Sequence, residues 1–118
     1  MRTTALDVRI YGLETNYLIP GDEDRARIVS ILGSNEQAVA LLKEAPAILE
    51  AILGQEMELF LHLDRDPEDG FEEIFATVRT HHPPEAGIQL MAEFDHKWWL
   101  TRLPYVAGRL NFMWEPLQ

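Results

Sequence analysis

Hydrophobic and polar residues alternate along several short stretches of this chain and recur at helical spacing along others. Leu6, Val8 and Ile10 alternate with Asp7, Arg9 and Tyr11, a period of two that predicts a half-buried strand. Gly12 and Glu14-Thr15-Asn16 end it, and Pro20-Gly21 marks the following loop. Asp22-Glu23-Asp24 places three carboxylates where a helix begins, the favourable end of its dipole. Ile28, Ile31 and Leu32 share one face of that helix, and Gly33 can stop it. Ser34 followed by Gln37 is a capping-box pattern that opens a second helix, with Ala38, Leu41, Leu42 and Ala45 as its apolar stripe. Pro46 has no N–H to donate, so the stretch from Asn35 to Leu53 is predicted as one helical layer, kinked or restarted at Pro46.

Met57, Leu59, Leu61 and Leu63 alternate with Glu58, Phe60 and His62, and Ile74, Ala76 and Val78 alternate with Phe75, Thr77 and Arg79. Asp64 to Gly70 has turn composition, so the two segments are predicted to form a β-hairpin. Pro84-Glu85 suits the first turn of a helix in which Leu90, Met91, Phe94 and Trp98 share a face flanked by Ile88 and Trp99. Pro104 ends that element. After Gly108, Leu110, Phe112 and Trp114 alternate with Arg109, Asn111 and Met113 as a last strand.

The order strand, helices, strand, strand, helix, strand predicts an α+β fold. It has the βαββαβ order of ferredoxin-like domains, in which an antiparallel four-stranded sheet carries its helices on one face. No repeat or linker divides the chain, and 118 residues suit one domain spanning 1–118. With the aliphatic sides of the strands packed on the helices, Arg9, Tyr11, Phe60, His62, Phe75, Arg79 and Met113 fall on the opposite, open face. Aromatic residues, Met and Arg are the types enriched in interface cores, so these seven are the candidate interface.

Charge narrows the partners. Twenty Asp and Glu against ten Lys and Arg give a formal charge of −10, which disfavours nucleic acid and anionic membrane surfaces and favours a basic protein. No apolar run has the length of a signal peptide h-region or a membrane span, which points to a soluble, cytoplasmic product. The absence of Cys removes disulfides, thiolate catalysis and Cys-ligated zinc.

Candidate chemistry is sparse. There is no Gly-rich phosphate loop, no nucleophile elbow and no His-Glu-x-x-His, so no catalytic residue, cofactor or metal site is assigned. His81 and His82 are adjacent and Pro-bounded, which turns their side chains apart. The acidic run from Asp64 to Glu73 fails the calcium-loop pattern, with Asp69 at the sixth position and Phe75 at the twelfth. It reads as a solvated hairpin tip, or a second docking point for a partner's Arg or Lys.

Phe94-Asp95-His96-Lys97-Trp98-Trp99-Leu100, followed by Gly108-Arg109-Leu110, resembles the C-terminal signature of small bacterial proteins without an assigned activity. The acidic turn and Pro84-Glu85-Ala86 fit the same likeness, which covers about Leu49 to Phe112. It implies a bacterial origin and transfers no cofactor or catalytic residue. Two functions remain. One is a non-catalytic domain acting by protein–protein contact, as a homodimer or as an antitoxin or immunity-type inhibitor of a basic partner. The other is a small enzyme or ligand-binding protein with a pocket between the last helix and the sheet, lined by Trp99, His96 or His62.

Overall fold

The computed structural model describes Leu13, residues 16–106 and residues 108–117. Helix α1 (Asp22–Gly33) carries Asp22, Glu23 and Asp24 in its first turn and buries Ile28, Ile31 and Leu32. Helix α2 (Glu36–Leu53) follows; the side chain of Asn35, rather than Ser34, caps it by accepting from the Ala38 amide at 3.0 Å. Strands β1 (Met57–Arg65) and β2 (Glu72–Thr80) pair antiparallel as the predicted hairpin. Helix α3 (Pro84–Phe94) runs directly into a π-turn (Asp95–Trp99), and a 3₁₀ turn (Leu103–Val106) leads to β3 (Leu110–Pro116).

The sheet corrects the predicted fold class. Among the described residues it is three-stranded and mixed, in the order β1-β2-β3, with β3 parallel to β2. It is therefore not an antiparallel four-stranded sheet, and the ferredoxin-like assignment falls with it. The physical reason lies in the connection: α3 crosses over the sheet and returns the chain beside the strand it left, running the same way. The predicted strand at Leu6–Tyr11 lies outside the described residues. Leu18 makes a single parallel bridge to Phe60 on the far side of β1, donating to the Leu59 carbonyl at 2.8 Å and accepting from the Leu61 amide at 2.9 Å.

Alternation along the strands sorts the two faces as predicted. Leu59, Leu61, Ile74, Ala76, Val78, Leu110 and Phe112 are buried against the helices, together with Leu42, Leu49, Phe94, Trp98 and Trp99. Helix α2 passes through Pro46 as one element. Proline removes the N–H that would bond the Leu42 carbonyl, and the buried Tyr17 hydroxyl donates to that carbonyl instead at 2.8 Å. Burial raises the Tyr17 pKa, which keeps the hydroxyl proton in place. Gly87 lets the Trp114 indole lie on α3, since a Cβ there would meet the ring at 2.3 Å.

Candidate functional site: the open face of the sheet

The register of the three strands sets the open face out as rows. Glu58, Arg79 and Glu115 form one, Phe60, Thr77 and Met113 the next, and His62, Phe75 and Asn111 the third. Asp64 and Glu73 stand opposite each other beyond the third row. Tyr17 turns towards the helices, so Leu18 turns outward beside Phe60 and extends the apolar row by one residue. Leu18 is 55% exposed and Met113 is also exposed, at opposite ends of that row. Phe60, His62, Phe75, Arg79 and Met113 are thus brought together, whereas Arg9 and Tyr11 lie outside the described residues.

Contacts within the face hold much of it in place. The Arg79 guanidinium lies over the Phe60 ring at 4.3 Å and donates to Glu115 at 2.9 Å. His62 Nε2 and Thr77 Oγ1 are hydrogen-bonded at 2.5 Å, and the His62 and Phe75 rings are 5.9 Å apart. Thr77, at the centre, is only 1% exposed. The upper end is therefore electrostatically settled.

The other end is not. Asp64 and Glu73 are directly opposed carboxylates, an arrangement that costs stability in a sheet. No cation pairs with either among the described residues. Partial burial and the nearby Asp64 charge raise the Glu73 pKa. The turn is shorter than the predicted Asp64–Gly70, because Asp64 and Arg65 belong to β1, and β2 begins at Glu72, ahead of Ile74. At the tip itself, Asp66 accepts from the Glu68 and Asp69 amides and Asp69 from the Phe71 amide. Those two carboxylates shape the turn.

Among the described residues no strand pairs with the outer edge of β3, and that edge is poorly suited to strand addition. Arg109 and Leu117 direct their backbone groups to β2, accepting from Ile74 and donating to Thr80 at 2.8 Å each. By alternation, Leu110, Phe112, Trp114 and Pro116 direct theirs outward. The Phe112 amide is taken by the Asn111 side chain at 2.9 Å, and Pro116 has no N–H.

The remaining candidates are dispersed. Trp99 is buried, stacks edge-on against Phe112 at 4.7 Å and donates Nε1–H to Asn111 at 3.1 Å. His96 is exposed on the other side of the π-turn, and His62 lies across the sheet. Where the last helix borders a cavity, of about 460 Å³, the walls include Ile48, Ile52 and Trp98, between it and α2. His82 Nδ1 is bonded to Thr80 Oγ1 at 2.7 Å, and Thr80 also accepts from Trp114 at 2.8 Å. Since the indole can only donate, the Thr80 hydroxyl is free to give its proton to His82. Among the described residues no three His, Asp or Glu side chains gather to hold a metal, and no helix is long and apolar enough to cross a membrane.

Comparison with protein-family models, with curated proteins and with solved structures yields no match.

Proposed function

We propose that this protein is a non-catalytic binding module whose open sheet face docks a protein partner with an apolar centre ringed by Lys or Arg. The observation that carries this reading is the Asp64–Glu73 pair, two opposed carboxylates without a cation among the described residues, set next to the apolar and aromatic rows. Leu18, Phe60 and Met113 supply apolar area at the centre. A partner's ammonium or guanidinium placed between Asp64 and Glu73 relieves their repulsion, so binding gains what the free protein lacks. A second copy of the chain fits less well, because it brings a further −10 of charge and its Arg79 is already paired with Glu115. Neutralisation of a basic toxin or nuclease is one concrete form of this function.

The test begins by retrieving a candidate on immobilised protein at low salt, then purifying it and titrating it by calorimetry. Binding that weakens steeply with salt, and about tenfold or more in Asp64→Asn/Glu73→Gln or in Met113→Glu, supports the proposal. Binding unchanged by either variant overturns it. Sedimentation is run alongside: a wild-type dimer that Met113→Glu dissociates would replace the basic partner with a second copy.

A further inference from the structure

A separate cleft of about 360 Å³ opens where the α1–α2 junction meets the start of β3. It is lined by Arg27, Ser30, Ile31, Ser34, Asn35 and Arg109, none of which belongs to the three rows of the open face. In a chain with twice as many acidic as basic residues, this lining contains two guanidiniums and no carboxylate. We infer that the cleft is a binding site for a small phosphorylated molecule, with its phosphoryl group held between Arg27 and Arg109.

The two arginines are held in position. Arg27 is anchored from behind: Nε and Nη2 bond Glu72 Oε1 at 2.7 and 2.6 Å, which leaves Nη1 to serve a ligand. Glu72 is itself fixed from its other oxygen by Arg65 at 2.6 Å. Arg109 is braced differently, with its guanidinium over the Phe71 ring at 5.0 Å and no carboxylate within ion-pair distance among the described residues. Asn35 spends its carbonyl oxygen on the Ala38 amide, so its two N–H groups remain available. Ser30 and Ser34 are exposed, and their hydroxyls have no partner within the chain among the described residues.

The chemistry of this donor set selects the ligand. The Arg109 guanidinium, Arg27 Nη1 and the hydroxyl and amide donors of three segments match the several acceptor oxygens of a phosphoryl group. The cleft is larger than one phosphate and has the volume of a small-molecule site, and Ile31 gives an organic body an apolar wall. A simple halide satisfies few of these donors at once.

The experiment is an amide and guanidinium NMR titration of the full chain with inorganic phosphate, with glycerol phosphate, and with sodium chloride at matched ionic strength. Saturable shifts at Ser34, Asn35 and Arg109 with both phosphates, tighter for the ester, are the expected result. Arg109→Gln should weaken binding about tenfold or more, the factor for one charge-assisted hydrogen bond. Ser34→Ala, a substitution of an exposed hydroxyl, should weaken it roughly threefold, which keeps the test decisive if the arginine variant folds poorly. Shifts that stay linear or match those with chloride would sink the proposal. Saturation by inorganic phosphate alone would overturn the assignment of an organic ligand, and equal affinity in both variants would overturn the site.

Discussion

Glu72 and Glu73 are consecutive in β2, yet they face opposite sides of the sheet and meet opposite electrostatics. Glu72 points to the helix side, where Arg27 from α1 and Arg65 from β1 each take one of its oxygens. Those bonds hold its pKa down at about 2. Glu73 points to the open side, where burial and Asp64 push its pKa up. The same residue type is therefore a satisfied tie on one face and, among the described residues, a charge without a cation on the other. On the covered face Glu72 is tied within the chain, while on the open face Asp64 and Glu73 meet no cation among the described residues. Substitutions on the covered face should cost folding, and those on the open face should cost binding.

The largest effect belongs to the aromatic cluster under the last helix. Phe94 and Trp98 are 5.4 Å apart, Phe94 and Phe112 5.2 Å, and the π-turn brings Trp99 into the same cluster. Trp98→Ala should destabilise the protein by ~3–5 kcal/mol, read from the urea midpoint. Met113→Glu, on the open face, should stay within about 0.5 kcal/mol of wild type in the same measurement. Equal losses in the two variants would erase the contrast between the faces.

A middle-sized effect tests the tie across Pro46. Tyr17→Phe removes the donor from the buried Leu42 carbonyl and should cost roughly 1–3 kcal/mol. Pro46→Ala restores the helical N–H and supplies that carbonyl with a new partner. In the double variant the loss should therefore be smaller than the sum of the single effects. Strict additivity would mean that the hydroxyl does not stand in for the missing amide.

Strand periodicity made the two faces legible before the fold was seen. Leu61 and Val78 had to lie opposite His62 and Arg79, because a period of two allows nothing else. The direction of β3 was not legible: alternation in Leu110, Phe112 and Trp114 says which side is buried and nothing about which neighbour the strand joins. The continuity of α2 was hidden for a similar reason, since the partner for the carbonyl freed by Pro46 is Tyr17, 25 residues before Leu42. Trp98 and Trp99 are both buried because a π-turn widens the helix there, with the Leu100 amide bonding Asp95 five residues back. At the candidate site, the aromatic, Met and Arg content was readable. The part played by Leu18 was not, because a single bridge has no periodicity. The Asp64–Glu73 pair required the strands to extend past the point where turn composition begins.

The smallest effect separates the two glutamates by pH. The depressed pKa of Glu72 contributes stability that is complete above the ordinary carboxyl value of about 4.5 and is lost as the pH falls towards 2. The raised pKa of Glu73 has the opposite sign: its charged form costs stability near neutrality, and protonation relieves that cost as the pH falls towards the ordinary carboxyl range. Glu73→Gln should therefore stabilise the protein at pH 7 by roughly 0.2–1 kcal/mol, the size of a cross-strand like-charge contact, and flatten the upper part of the stability profile. Glu72→Gln should leave that upper part alone and remove the acid-side loss. Denaturation from pH 3 to pH 8 on both variants reads the two limbs separately. If Glu73→Gln destabilised the protein at neutral pH, the carboxylate would have a cation of its own, and the open face would lose the unmet charge that distinguishes it from the covered one.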